Sequence, residues 1–289
     1  MQRKLHPLEG IVAGFALVFV LALTIGFAQA GEAKVKKVAL RSNAVLVIDA
    51  ATGEVVMDKN GDAVTPIASI TKLMTAMVII DRGLDLDARI VVSREDVDWK
   101  KGSRSRLRTG VTLTRDELLL IALMASENRA AAALGHSYPG GTQAFVAAMN
   151  EMSAELGMND TRFVDPTGLS PKNVSSARDL AKLVRAAHAY PLIREYSTRD
   201  KATVLLSGRQ KMNFRNTNGL VRNSRWEIDL SKTGYISEAG RCLVMQVRLA
   251  SKDLIVVLLD SWGKHSRVGD ANRIRKWVET TVAAAGPQG

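Results

Sequence analysis

The sequence predicts an α+β domain in which one antiparallel sheet is assembled from strands at both ends of the chain, with an all-helical section inserted between them. Three observations lead there. Short apolar runs at 44–48 and 54–57 have strand character and flank a turn at Thr52-Gly53. Between 66 and 190 the apolar residues follow helical spacing instead. The runs 202–206, 230–236, 243–249 and 254–259 then return to strand character, and a final amphipathic helix covers roughly 268–283. Two strands are too few to stand alone, so the first pair is expected to join the later ones. A sheet lobe of about 35–62 and 198–285 would then meet a helical lobe of about 63–197 at a cleft.

The first thirty residues stand outside this domain. Arg3 and Lys4 make a basic start, 11–27 is an unbroken apolar run, and Ala28-Gln29-Ala30 is a small-x-small cleavage site. That is the pattern of a secretory signal peptide, residues 1–30. An uncleaved anchor is the alternative, although the run is slightly short for a bilayer. Either way residues 31–289 are expected to be exported as one domain, and at 46% hydrophobic the chain can bury a proper core. Its formal charge is +11, and removing Arg3, Lys4 and Glu9 leaves +10. Such a balance suits an anionic polymer or membrane surface. No nucleic-acid motif accompanies the charge, and export argues against that partner. Cys242 is the only cysteine, which excludes an internal disulfide, and inside an apolar strand it reads as filler. His136, His188 and His265 show no ligand spacing, so no metal site is expected.

Within the helical section each element has a local signal. Thr65 as N-cap and Pro66 at the first helical position predict a buried helix over 66–80, stopped at Arg82-Gly83. A short strand at 89–92 precedes an apparent capping box, Ser93 with Asp96. Lys100, Lys101, Arg104, Arg106 and Arg108 form a basic loop, either solvated surface or a contact for an acidic polymer. Thr114 with Glu117 is a stronger capping box and opens an apolar helix over 118–124. Ser126-Glu127-Asn128 then interrupts the apolar pattern before the alanine run 130–133, as a surface turn or a site. Gly140-Gly141 separates a helix over 143–156, ended by Gly157. Asp165-Pro166-Thr167-Gly168 is a turn, and Ser176 with Asp179 caps a helix reaching Tyr190, where Pro191 stops it.

The chemistry centres on Ser69 and Lys72. Three apart on a helix, they share a face and can touch. A lysine in a core is expensive unless it is paired or neutral. Stripped of water it becomes a base for the Ser69 hydroxyl, needing a pKa of roughly 7–8 against ~10.4 in water, a difference of about 4 kcal/mol. Burial and a second nearby cation can supply that. The free N–H groups of the first turn lie ready to hold an oxyanion. A snorkelling lysine beside an incidental serine is the bland alternative. A second Ser-x-x-Lys match, Ser261-Trp262-Gly263-Lys264, contains a glycine that disfavours a helix start. Ser126-x-Asn128 and Lys232-Thr233-Gly234 follow in order, each occurring once. Alone, the one could be a helix cap and the other a loosened edge strand.

The three motifs together resemble those of serine β-lactamases and penicillin-binding proteins. Pro66-Ile67-Ala68-Ser69, Leu73-Met74-Thr75-Ala76-Met77, the stretch 122–132, Tyr138-Pro139-Gly140-Gly141, the stretch 163–169 and Phe214-Arg215-Asn216-Thr217-Asn218 look closely like the D-alanyl-D-alanine endopeptidases. These are small penicillin-binding proteins of the D-Ala-D-Ala carboxypeptidase superfamily, and the likeness covers nearly all of 40–280. It implies a β-lactamase/transpeptidase-like fold and a cofactor-free, penicillin-sensitive hydrolase of peptidoglycan peptides in the periplasm, with β-lactams as covalent inhibitors. By the same resemblance Ser69 is the acylated nucleophile, Lys72 its proton acceptor and Ser126 the relay to the leaving amine. Asn128 donates to a substrate carbonyl, Lys232 adds positive charge that keeps Lys72 neutral, and Thr233 bonds the peptide. Gly234 leaves room for the acyl group, and the Ser69 and Tyr235 N–H groups hold the oxyanion. Arg267 falls about where relatives place an arginine near the substrate carboxylate. Class A β-lactamases release the acyl group with a glutamate, which is absent near Asp165, a weak stand-in; slow release of penicillin is therefore expected. The short tail after the last helix suggests at most loose membrane association. A carboxypeptidase that only trims pentapeptide stems, a β-lactamase and an idle wall-binding protein are the rival readings.

Overall fold

The chain enters its sheet through a hairpin, β1 (Ser42–Asp49) and β2 (Val55–Lys59), in a computed structural model that describes residues 38–99, 101–103, 105–206 and 210–285. The predicted signal peptide, and Lys100 and Arg104 of the basic loop, lie outside the described residues. Asp49 sets the hairpin turn, its Oδ1 accepting from the Ala51 and Thr52 N–H groups at 2.9 Å.

The predicted helix start at Thr65 and Pro66 is corrected. These residues form β3 (Thr65–Pro66), paired with Ser175 and Val174. The Ile67 N–H donates to the Asn173 carbonyl at 3.1 Å, so this ladder occupies the backbone that a helix start would need. Ala68 takes a φ of 47°, a left-handed setting uncommon outside glycine. A 3₁₀ turn (Ala68–Ile70) then carries Ser69 into α1 (Thr71–Asp81), which ends as predicted with Gly83 left-handed at φ 63°.

β4 (Arg89–Val91) leads into Ser93 and Asp96, where the expected capping box caps no helix. Asp96 Oδ2 accepts from the Ser93 N–H at 2.6 Å, but the Ser93 hydroxyl takes the N–H of Glu95 and not that of Asp96, so the reciprocal box is incomplete. β5 (Thr112–Thr114) pairs with β4 and opens α2 (Arg115–Met124), whose capping box is complete. Thr114 Oγ1 accepts from the Glu117 N–H at 3.1 Å, and Glu117 Oε2 accepts from the Thr114 N–H at 2.9 Å. α3 (Asn128–His136) and α4 (Gly141–Glu155) follow, the latter starting earlier than the periodicity indicates. β6 (Val174–Ser175) completes the ribbon with β3, so the helical section is not wholly helical. Ser176 caps α5 (Ala177–His188) through the Asp179 N–H. Pro191 both stops that segment and opens an unpredicted helix, α6 (Pro191–Thr198), since its missing N–H costs nothing at a first helical position.

β7 (Lys201–Leu205) and β8 (Lys211–Arg215) make a separate hairpin, correcting the placement of 202–206 with the sheet strands. Only Val204 and Phe214 are buried along this pair, a one-sided pattern that a sheet covered on both faces cannot use. The sheet proper is completed by β9 (Glu227–Ile236), β10 (Gly240–Leu249) and β11 (Lys252–Ser261), and α7 (Ser266–Ala285) closes the fold. Its order is β2-β1-β11-β10-β9, antiparallel throughout, with β1 joining β11 as predicted. Alternate side chains divide between two cores. Leu46, Val244, Ile255 and Val257 share a core with the helices, while Val45, Val47, Met245 and Val256 pack with Ile274 and Val278 of α7. Burial on both faces is why these strands read as near-continuous apolar runs. β9, which carries Lys232, Thr233 and Gly234, is left as an edge strand. Among the described residues no helix is long and apolar enough to cross a membrane.

Candidate active site

Ser69 and Lys72 meet at the junction of the 3₁₀ turn and α1. Lys72 is 1% exposed, and its Nζ lies 2.9 Å from Ser69 Oγ, 2.8 Å from Asn128 Oδ1 and 2.6 Å from the Thr167 carbonyl oxygen. Carbonyl oxygens only accept. A neutral amine therefore gives both its N–H groups to Asn128 and Thr167, and its lone pair is left for the Ser69 hydroxyl proton. Burial pulls the Lys72 ammonium down to about 7, against the opposing charges of Asp165 and Glu127.

Ser126 and Asn128 come from the break between α2 and α3. Ser126 adopts φ 58°, and Glu127 pins the break by accepting from the Ser105 hydroxyl at 2.5 Å and the Arg129 N–H at 3.2 Å. Ser126 Oγ is 2.9 Å from Lys232 Nζ, which also donates to the Thr233 carbonyl at 3.1 Å. Lys232 is as deeply buried as Lys72, and burial, followed by the charges of Lys72 and Arg267, holds it well below the usual lysine range. The electrostatics match the expectation of burial and depart from it at the second cation. Desolvation, not a second cation, is the principal cause at Lys72, and Lys232 is itself depressed. Because the charge of Lys72 acts on Lys232, the two amines titrate as a pair.

Gly234 brings β9 against the serine. A Cβ there would lie 2.9 Å from the Ile67 carbonyl oxygen and 3.1 Å from the Ser69 nitrogen, so only glycine allows this approach. Thr233 Oγ1 shares a 2.6 Å hydrogen bond with Thr217 Oγ1, and the Thr217 N–H donates to the Met124 carbonyl at 3.1 Å, tying β9 to the end of α2. Tyr235 follows on the open rim, its ring 4.4 Å from the Arg241 guanidinium. Arg267 donates to the Gly234 carbonyl at 3.0 Å and braces the backbone of β9.

Two positions escaped the sequence reading. Thr167 supplies a carbonyl to Lys72, and Thr217 steadies Thr233; each lay inside a quoted motif, but a backbone carbonyl leaves no mark in residue identity. Asp165 is fully engaged in its own loop: Oδ1 accepts from the Thr167 N–H and hydroxyl, both at 2.6 Å, and from the Gly168 N–H at 2.7 Å, while Oδ2 accepts from Ser170 at 3.0 Å. These bonds hold the turn that carries the Thr167 carbonyl. The rival Ser261 is buried at the end of β11 against Ser42 Oγ, 2.5 Å away. In the basic loop Lys101 pairs with Glu238 at 2.7 Å and Arg106 lies over the Phe214 ring, so both have internal partners. Cys242 is buried, and its thiol is pushed up to about 11 by burial. Among the described residues no three His, Cys, Asp or Glu side chains are grouped to share a metal ion.

Residues 31–263 match the profile of the D-alanyl-D-alanine carboxypeptidase family. The chain belongs to this family. Its relatives include the D-alanyl-D-alanine endopeptidase of Pseudomonas aeruginosa, 47% identical over 86% of this chain and 80% of the relative. The D-alanyl-D-alanine endopeptidase of Escherichia coli is 44% identical over 91% of this chain and 88% of its own length. Among solved structures, a Streptomyces DD-transpeptidase superposes with a TM-score of 0.78 at 28% identity, covering 84% of this chain and 98% of that one. Membership of the family and the β-lactamase-like fold agree with the expectation from the three motifs.

Proposed function

We propose that the protein is a periplasmic serine endopeptidase that hydrolyses D-Ala-containing cross-links of peptidoglycan and is inhibited by penicillin. The observation that carries this is the neutral-amine geometry of Lys72, whose two carbonyl partners leave its lone pair to Ser69. In the acylation step Lys72 takes the Ser69 proton as Oγ bonds to the substrate carbonyl carbon. The Ser69 and Tyr235 N–H groups hold the resulting oxyanion; losing one such donor typically costs about 10²–10³ in rate. Asn128 has its Oδ1 on Lys72 and its Nδ2 available to the substrate carbonyl. When the amide C–N bond breaks, the leaving amine receives the proton through Ser126, whose hydroxyl can accept and donate at once. Lys232 and Thr233 orient the peptide. Water then hydrolyses the ester, returning free Ser69 and the carboxylic acid. Since Asp165 is spent within its loop, a penicillin acyl group is released slowly.

Mass spectrometry after exposure to labelled benzylpenicillin tests the nucleophile: a one-to-one adduct on the intact protein and none on Ser69→Ala. Digestion of purified muropeptides tests the cleavage. Loss of cross-linked dimers is expected; loss of pentapeptide stems with dimers untouched would replace this reading with a trimming carboxypeptidase, which the description of the family favours.

A further inference from the structure

The hairpin of β7 and β8 carries apolar side chains inward and charge outward. Val204 and Phe214 pack into the core shared with the helices, and the alternation puts Lys201, Lys211 and Arg215 on the open face. The register sets Lys201 directly opposite Arg215, with Leu205 opposite Lys211. Like charges facing each other across two strands cost stability, so folding gives no reason for the pair. Nor are these cations neutralised. Among the described residues none of the three stands in an ion pair, and the acids nearest to β7 in sequence are taken, Asp200 by Arg222 at 3.1 Å and Glu195 by Arg199. In the basic loop, by contrast, Lys101 and Arg106 have internal partners. β8 leads directly to the catalytic groove. Two residues past Arg215, Thr217 gives its N–H to the Met124 carbonyl and shares a 2.6 Å hydrogen bond with Thr233. At a rise of about 3.4 Å per residue, the strip from Arg215 to Lys211 is about 14 Å long and starts about 7 Å from Thr217.

We propose that the outer face of β7 and β8 is an exosite for carboxylate-bearing stretches of the peptidoglycan polymer, adjoining the groove that holds the cross-link. The assignment rests on the peptidase reading above, because that reading makes a carboxylate-bearing polymer the molecule that extends from Thr233. A short peptide or a penicillin fills the groove and ends there. A polymer continues past Thr217 and meets Arg215, Lys201 and Lys211 in turn. Anionic lipid is the other polyanionic surface open to an exported protein. It suits this face less well: within β7 and β8, Leu205, 57% exposed, is the one apolar side chain on that side, which gives little to bury in a bilayer.

Co-sedimentation of the Ser69→Ala protein with purified peptidoglycan sacculi tests the exosite without turnover. Lys201→Gln, Lys211→Gln and Arg215→Gln together should weaken binding roughly tenfold, three exposed charges acting at once. Raising salt to about 0.3 M should weaken the parent by a similar factor and the triple variant much less, because exposed charges are screened. Sacculi whose carboxyl groups have been amidated should bind parent and variant alike. With Ser69 restored, the triple variant should be acylated by penicillin at the parent rate. It should also melt in denaturant no earlier than the parent, since the Lys201–Arg215 repulsion is gone. Should it melt earlier, the amidation arm decides on the parent alone. Equal binding of parent and variant to untreated sacculi, or parent binding indifferent to amidation, overturns the exosite. A variant that loses binding to phosphatidylglycerol vesicles but keeps the sacculi assigns the face to lipid and overturns it as well. Penicillin acylation of the unmodified protein is read separately. Acylation with sacculus binding unmoved by the three substitutions keeps the peptidase reading and loses this inference, whereas charge-dependent binding without acylation does the reverse.

Discussion

At Lys72 the deciding quantity is the number of partners that can only accept. Asn128 Oδ1 and the Thr167 carbonyl take two N–H groups, and burial lowers the ammonium to about 7, so near neutral pH the lone pair faces Ser69. The sign follows directly: below that value the protonated amine has no lone pair, and above it the base is available. Penicillin acylation measured by stopped flow should rise about tenfold per pH unit up to about pH 7 and then level off. Because Lys232 is coupled to Lys72, the observed midpoint belongs to the pair. A flat profile between pH 5 and 8 would rule out Lys72 as the base. The sequence singled out Ser69 and Lys72, which the structure brings together, since a lysine within an otherwise apolar helix demands an explanation. It named burial and a second cation together; burial is the principal cause, and its extent is a property of what surrounds the residue.

Among the elements, the loop 165–170 and the 3₁₀ turn before α1 are fitted backbone to backbone. Gly168 sits at φ 80°, and a Cβ on it would fall 1.9 Å from the Ala68 carbonyl oxygen, one residue before Ser69. Gly83, at φ 63°, has no atom within 4 Å of the same position. The two glycines make a controlled comparison. Gly83→Ala should cost roughly 1 kcal/mol of left-handed strain in denaturant melts and leave acylation unchanged. Gly168→Ala should cost more, because overpacking adds to strain, and slow acylation at least 10-fold by displacing the Thr167 carbonyl. Equal effects from both would show that close approach to Ala68 does not matter. The complete capping box at Thr114 was legible because its signal is local. The false one at Ser93 failed because a side-chain pair three apart does not by itself make a helix.

Over the whole molecule, the sheet is closed at one face by α7, and Asp270 ties that helix to β1. Its carboxylate accepts from the Arg41 and Ser42 N–H groups and the Ser42 hydroxyl at 2.6–3.1 Å, and it pairs with Arg273. Burial alone would raise the Asp270 pKa, but these donors override it and hold the group below the ordinary 3.8. The stability it contributes is therefore complete above about pH 4 and is lost as acid protonates the folded state. Asp270→Ala should lower the unfolding free energy at pH 7 by roughly 2–4 kcal/mol, chiefly by stranding buried donors. The gap between variant and parent should narrow below pH 4; a gap that widens in acid would contradict the assignment.

The residue types and their order determined much of this protein: strands at both ends, helices between, and three short motifs that suffice to name a family. They did so because period, capping and motif spacing are recorded in the chain itself. Only the tertiary structure decided that Pro66 begins a ribbon with Val174, that 201–205 pairs outside the main sheet, and that Asp165 serves its own loop. Each depends on contacts between residues far apart in sequence or on backbone groups that every residue carries, and neither leaves a trace in the order of side chains.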